Sequence, residues 1–480
     1  MSNSVFKDID NTPLGMNHLK VWFTSGMGFF TDAYDLFIIG VVLILLEGNY
    51  PTTFHITSGN AYLGAGLLGS SAIIAAIFGQ LIWGSLADRL GRKAIYGIEA
   101  AILASGAILS AFAWNYWSLF AFRFLLGFGI GGDYPISATI MSEYSNTKDR
   151  GKLVALTFAN QGIGSVVAVG VGLAAVSLFH PEIAWRVMLG FGAIPALVVI
   201  YLRRKLPETP RFSALVKSNK EKANNAAKFI NKDARIDSNA KTGISSVAVF
   251  FANYWPMLMV TGGSWFFMDM ALYGTGIFSG PITGAFLPVS TLTGKIIIAG
   301  IPFIVGFPGY FAAVALMDRA GRKPLQVMGF VGMAALYFVV ASFMLTKGTK
   351  VTGFLLPSTL MFGLYALTYF FIDFGPNSTT FVVPAELYPV KYRTTGHGIS
   401  AAAGKTGAAI TTFLFPLLLL TVGLKEILFM LAAFSVIGAA FSIFLKETKK
   451  LSLEDAFQDR IVIAPNNSSE LENISSAVGR

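Results

Sequence analysis

Twelve apolar stretches run through this 480-residue chain, each long enough to cross the hydrocarbon core of a bilayer, which takes about 20 residues of helix. Their rough limits are 20–46, 61–87, 94–113, 115–143, 152–178, 184–205, 250–279, 290–316, 322–346, 354–385, 395–421 and 424–446. A chain of this kind is expected to be an all-α membrane protein. Composition agrees, because only 13% of residues are charged, whereas an average soluble domain carries about 25%. A soluble enzyme is thereby excluded, and no enzymatic activity is expected. The first stretch lacks the basic flank and short apolar run of a cleaved signal, so it is expected to stay as a span. There is no cysteine, which rules out disulfides and thiolate chemistry. No metal site and no cofactor are expected.

The net charge of +10 does not form a nucleic-acid docking face. Lys and Arg cluster instead in short connections: 88–93, 145–152, 203–241, 318–323 and 387–394 hold 22 of them, and those on the other side hold Lys347, Lys350 and Lys425. That bias places the basic side, with both termini, in the cytoplasm; the expected location is the plasma membrane, crossed many times. Asn467 and Asn473, each in Asn-x-Ser, then lie on the wrong side for glycosylation. The expected domains are an N-terminal six-helix bundle over 1–205, a polar cytoplasmic linker over 206–249, a C-terminal six-helix bundle over 250–450, and a disordered cytoplasmic tail over 451–480. A single copy is expected to function alone, with the lipid bilayer around it.

The two halves repeat. Asp88-Arg89-Leu-Gly91-Arg92-Lys93 is echoed by Asp318-Arg319-Ala-Gly321-Arg322-Lys323, and Glu143 with Arg150 by Glu386 with Arg393, at offsets of 230 and 243 residues. The expected device is a cytoplasmic latch of ion pairs built from Asp88, Arg89, Arg92, Glu143, Arg150, Asp318, Arg319, Arg322, Glu386 and Arg393. The paired loops resemble the major facilitator superfamily. So do Pro207-Glu208-Thr209-Pro210-Arg211 after span six and Lys446-Glu447-Thr448 after span twelve. That resemblance implies two six-helix bundles rocking about a central site.

Ionisable residues inside the spans cost about 2.5–3.5 kcal/mol each on insertion scales, so they turn inward toward a pathway or a partner. Span one carries Asp32 and Asp35, three apart and so on one helix face. Span three carries Glu99. Span four carries Arg123 and then a glycine-rich run ending in Asp133-Tyr134-Pro135, where the proline can kink the helix. Arg123 is placed to pair with Asp133 or with an Asp of span one. In span seven, Trp265, Asp269 and Tyr273 recur every fourth residue as one stripe. Span ten holds Asp373-Phe-Gly-Pro-Asn377, the mark of a broken helix at a substrate site. Span eleven supplies Lys405 as a fixed cation, and span five adds Gln161. One cation, several neutral donors and one carboxylate suit an anion that keeps hydroxyl protons, as the phosphate monoanion does. Lys295 is set aside as a snorkelling side chain, and His55 and His180 fall in outer loops.

Nearly all twelve spans resemble the plant and fungal high-affinity phosphate:proton symporters. The likeness is densest at 28–37, at Gly131-Gly-Asp-Tyr-Pro-Ile-Ser-Ala-Thr-Ile-Met-Ser-Glu143, at 374–381 and at 397–405. It implies phosphate contacts from Tyr134, Gln161, Trp265, Asp269, Tyr273, Asn377 and Lys405, and proton handling by Asp32, Asp35, Glu99 and Asp133. The chain departs from that pattern at Asp373, where a neutral Asn is usual. The function implied is uptake of inorganic phosphate with protons by alternating access. The alternatives are a proton-coupled symporter of another organic anion or a sugar, and a phosphate receptor that signals without flux. A plain sugar carrier has no need of Lys405 beside Asp269, and a receptor is expected to carry a larger effector domain.

Overall fold

The computed structural model describes residues 5–49, 61–236, 240–241, 246–457 and 462–463. His55, Asn467 and Asn473 lie outside the described residues. The first half comprises α1 (Lys7–Asp10), α2 (Met16–Asn49), α3 (Ala61–Leu90), α4 (Arg92–Ile95), α5 (Ile98–Ala111), α6 (Tyr116–Tyr144), α7 (Arg150–Leu178), α8 (Pro181–Phe191) and α9 (Ala193–Arg204). Two linker helices follow, α10 (Pro210–Leu215) and α11 (Lys220–Ile230). The second half comprises α12 (Val247–Ile277), α13 (Ser279–Phe286), α14 (Leu292–Leu316), α15 (Arg322–Ser342), α16 (Ser358–Phe374), α17 (Pro376–Leu387), α18 (Arg393–Thr421), α19 (Leu424–Ile443) and α20 (Leu453–Phe457).

Among the described residues, ten helical segments are long and apolar enough to cross a membrane. The other two spans expected from the sequence are α6 and α12, of 29 and 31 residues. They are less apolar for a structural reason. Every residue of α6 from Gly129 to Tyr144 is buried, and so is every residue of α12 from Met268 to Ile277. Little of these stretches meets lipid, so glycine, hydroxyl and carboxyl groups are tolerated there. Local signals set their starts: Asn115 and Ser118 form a capping box at α6, and the Ser246 side chain accepts from Val249 N at 3.3 Å at α12.

Three of the twelve spans are interrupted. Span three divides into α4 and α5, and span six divides at Gly192, where the Asp35 carboxyl lies against the backbone. Span ten breaks at Gly375, as Gly-Pro predicts, and the Ser378 hydroxyl donates to the Asp373 carbonyl at 2.6 Å across the break. Pro135, by contrast, is carried within α6 as one continuous helix.

The halves meet in matched pairs, α3 along α18 and α7 along α14, with α2 against α12. Glycine lets backbones approach there, as where Gly84 faces Thr394 and Gly398. A two-stranded hairpin, Met344–Lys347 with Lys350–Phe354, fills the connection between α15 and α16. The linker is not featureless: α10 and α11 bury Ala214, Leu215, Ala223 and Ala227 against Phe6 and Ile9. The tail was expected to be disordered from 451, yet Leu453–Phe457 forms α20 and buries Leu453, Glu454 and Ala456.

Candidate substrate and proton site

The Asp-Arg-x-Gly-Arg-Lys turns take the same form in both halves. Gly91 and Gly321 have φ of +116° and +107°, a backbone that side chains with a Cβ rarely adopt, and each turn redirects the chain into the next helix. Glu208 then caps the helix after Gly91, accepting from Lys93 N at 3.1 Å. Glu447 does the same after Gly321, accepting from Arg322 N at 3.2 Å and Lys323 N at 3.1 Å. Both glutamates also accept from the next residue's N–H, Thr209 at 2.9 Å and Thr448 at 3.0 Å.

On this frame sit two related ion-pair networks. Glu143 binds Arg92 at 3.4 Å and, across the halves, Arg393 at 2.9 Å, while Arg92 also binds Asp88 at 3.1 Å. Glu386 binds Arg322 at 2.7 Å and, across the halves, Arg150 at 3.1 Å, while Arg322 also binds Asp318 at 2.7 Å. The aspartates cross as well. Asp88 accepts from Thr395 N at 2.7 Å, and Asp318 accepts from Lys152 N at 2.7 Å. Burial pushes the Asp318 carboxyl above its ordinary value, and Arg322 opposes that rise. Arg89 and Arg319 differ from the other residues expected in the latch. Their side chains are exposed, and only their carbonyls take part, accepting from Lys217 and Lys449 at 2.9 Å each.

Arg211, taken from the sequence only as part of a motif, ties the remaining cytoplasmic pieces together. It binds Asp10 at 2.6 Å and Glu454 at 2.9 Å, and donates to the Glu143 carbonyl at 2.7 Å. Burial pushes the Asp10 carboxyl up, against the pull of Arg211. One guanidinium thus joins α1, α6, α10 and α20.

Deeper in, the stripe on α12 meets Lys405 of α18. Lys405 Nζ binds Asp269 Oδ2 at 2.9 Å and donates to the Tyr273 hydroxyl at 2.8 Å. It also lies 4.7 Å from the ring centre of Tyr134, which α6 brings from the other half. The Tyr134 hydroxyl is 3.4 Å from that of Tyr273 and 3.5 Å from Gln161 Oε1. Trp265 packs on Tyr134, with ring centres 6.3 Å apart. Asn377 lies outside this direct set. Its Nδ2 donates to Tyr310 and to Asp373, at 2.8 Å each. All seven expected substrate residues are at most 2% exposed. On the outer side Phe37 stacks on Tyr273, 5.5 Å between centres, and abuts Phe303 at 4.9 Å.

The expected proton residues divide into two surroundings. Glu99 and Asp133 share Arg203, at 2.5 and 2.6 Å, and Ser137 donates to Asp133. Asp32 is fully buried, and among the described residues neither of its carboxylate oxygens has a hydrogen-bond partner. Its charge interacts with Asp133 and Arg203 and also with Lys405, so it lies within electrostatic reach of both clusters. Asp35 faces elsewhere, toward Gly192 and Arg123. Of the two partners expected for Arg123, the structure brings it to Asp35 of span one and not to Asp133. It donates to the Asp35 backbone carbonyl at 2.6 Å, and the cation paired with Asp133 is Arg203.

Sequence reasoning passed over Arg203 and Tyr310. Arg203 sits at the end of a span, where basic residues read as topology signals, but three acids near one expected Arg were a sign that a second cation was needed. Tyr310, in an apolar helix, gave no such sign.

Residues 21–459 match the family model described as "Sugar (and other) transporter". The chain is 37% identical to "Inorganic phosphate transporter 1-11" of Oryza sativa subsp. japonica, over 94% of this chain and 89% of that protein. It is 36% identical to "Probable inorganic phosphate transporter 1-6" of Arabidopsis thaliana, over 94% and 96%. Among solved structures it shares the fold of the major facilitator superfamily proton:xylose symporter XylE bound to 6-bromo-6-deoxy-D-glucose. The TM-score is 0.78 at 18% identity, covering 92% of this chain and 98% of that one. With twelve helical spans in the major facilitator arrangement, this multi-pass membrane protein belongs to the sugar (and other) transporter family.

Proposed function

We propose that the protein takes up inorganic phosphate together with protons by alternating access. The observation that carries this reading is Lys405, a buried cation held by Asp269 and Tyr273 where the two halves meet. A lysine placed so can exchange its carboxylate partner for a phosphoryl oxygen. Tyr134, Tyr273 and Trp265 supply neutral donors around it, Gln161 adds an amide, and Asn377 borders the cluster through Tyr310. Asp269, once displaced, accepts a hydrogen bond from a phosphate hydroxyl or takes a proton. The names of relatives 36–37% identical to this chain support phosphate as the anion.

Protons enter through the acids of the N-terminal half. Asp32 relays between the Glu99–Arg203–Asp133 cluster and Lys405, so its charge state is felt at the substrate. The latch holds the cytoplasmic face closed, and breaking its ion pairs together opens the inward route. The bundles over 1–205 and 250–450 are the rocking units, joined by the linker over 206–249. Abundant Lys and Arg on the latch side support both termini in the cytoplasm, and uptake into a cell places the protein in its plasma membrane. One copy holds the whole site, which supports a monomer as the working unit.

Uptake of labelled phosphate into proteoliposomes tests the reading. Saturable accumulation that needs an inward acid gradient and collapses with a protonophore is expected. Uptake indifferent to both, or displacement by sugars and not by phosphate, overturns it.

A further inference from the structure

Asp373 is buried near the end of α16, 5% exposed, two residues before the break at Gly375. Asp269, Glu99 and Asp133 each bind a Lys or Arg. Asp373 does not. Among the described residues, no Lys, Arg or His comes within ion-pair reach of it, and its neighbours are Asn377 of α17 and the Tyr310 hydroxyl of α14. Tyr369, on its own helix, is the other titratable group that faces it, itself donating to Thr275 of α12 at 3.2 Å. From α15, the break meets the Gly329 backbone and the Leu325 carbonyl, and Tyr337 faces Tyr369.

This arrangement fixes an amide. An ionised carboxylate can only accept, so Asn377 must turn its NH2 toward it. Both amide N–H groups are then committed, one to Asp373 and one to Tyr310, at 2.8 Å each. Among the described residues, the Asn377 carbonyl oxygen accepts no hydrogen bond. Tyr310 lies near enough to Tyr134 and Tyr273 for their hydroxyls to interact, so the amide borders the Lys405 cluster.

We propose that Asp373 is a further proton-binding residue, in the C-terminal half, and that its protonation turns the Asn377 amide from an acceptor into a donor toward a bound anion. A hydronium ion gives its proton to a carboxylate oxygen of Asp373 and leaves as water, so that one O–H bond breaks as another forms and no other covalent bond changes. The new O–H donates to the Asn377 carbonyl, the amide rotates by half a turn, and an N–H becomes free for the anion. A negative charge beside the site is neutralised in the same step. Proton and anion therefore favour each other's binding, and reciprocity requires that loss of the proton weakens the hold on the anion by the same factor. The helix break joins this switch to the backbone, because Ser378 spans it to the Asp373 carbonyl.

The inference rests on the phosphate reading for its ligand, so its test has two arms. In the first, the dissociation constant of inorganic phosphate is measured against pH for the full-length protein and for Asp373→Asn. The wild-type constant should rise with pH, and the variant should lose up to about tenfold of that rise per pH unit, the weight of one linked proton. At acid pH the two should bind alike. Parallel profiles, or loss of binding at every pH in the variant, overturn the proposal. If Asp373→Asn fails to fold, Asp373→Ser carries the same expectation. The second arm needs no substrate. Infrared difference spectra between acid and alkaline pH should contain a protonated-carboxyl C=O band that Asp373→Asn or Asp373→Ser removes. A spectrum unchanged by both variants overturns the proposal. If the wild type binds no phosphate at any pH, the phosphate reading fails while the infrared arm still decides on Asp373.

Discussion

The latch obeys the internal repeat almost residue for residue, and the centre of the molecule breaks it. Asp88, Arg92, Glu143 and Arg150 have counterparts in Asp318, Arg322, Glu386 and Arg393, and each glutamate binds one arginine of its own half and one of the other. At the centre the N-terminal half contributes Asp32, Glu99 and Asp133 around Arg203, and the C-terminal half contributes Lys405 with Asp269 and Tyr273. The contrast has a physical reason. Opening and closing one face by rocking two bundles is served by equivalent grips on both. Moving an anion with protons needs inequivalent groups, a cation for one and carboxylates for the other.

If the centre is unequal in this way, the sharpest break comes from its cation. Lys405→Gln should reduce phosphate uptake to background in proteoliposomes. It also leaves Asp269 buried without its partner, a loss of the order of 3–5 kcal/mol if the acid stays ionised, so thermal unfolding should fall unless low pH neutralises the acid. Substantial uptake by a well-folded Lys405→Gln would remove Lys405 from the site.

The latch should respond equally from either half. Glu143→Gln and Glu386→Gln should each slow uptake several-fold and open the cytoplasmic face. Because the chain has no cysteine, a single Thr395→Cys reports that opening as faster thiol labelling. A large effect from one glutamate and none from its counterpart would end the idea of matched grips.

A milder change is expected at Arg203. Arg203→Lys keeps the charge but cannot hold Glu99 and Asp133 in one planar fork. Phosphate binding should survive while the pH dependence of uptake shifts. An identical pH profile would leave Arg203 as a structural staple.

The smallest effects belong to Arg89 and Arg319, which share the motif but not the ion pairs. Alanine at either should change stability by less than about 0.5 kcal/mol and leave uptake near wild type. A strong effect would mean that these side chains join the latch in another conformation.

How much of this could be read in advance depended on where each residue's partner lay. The latch was legible because its residues occur twice, and Asp269 with Tyr273 because a four-residue spacing puts them on one helix face. Gly375-Pro376 announced the broken helix, since proline restricts the residue before it and cannot donate. Gly192 alone gave no such warning for the break in span six. Arg203 was hidden by position, at the membrane edge among ordinary topology-setting cations. Helix α20 looked like part of a disordered tail because Glu454 gains its burial from Arg211, 243 residues earlier. Partners that distant leave no local pattern, and neither does a lone tyrosine such as Tyr310.

The pairing of Lys405 with Asp269, opened by the arriving anion, is the centre of the proposed mechanism. A double-mutant cycle on phosphate affinity, with Asp269→Asn, Lys405→Gln and the double variant, measures it directly. If substrate competes with Asp269 for Lys405, the two substitutions should be coupled by more than about 0.5 kcal/mol, with Asp269→Asn altering affinity only while Lys405 is present. Additivity within about 0.5 kcal/mol would contradict this and leave Asp269 as a packing residue beside an independent lysine.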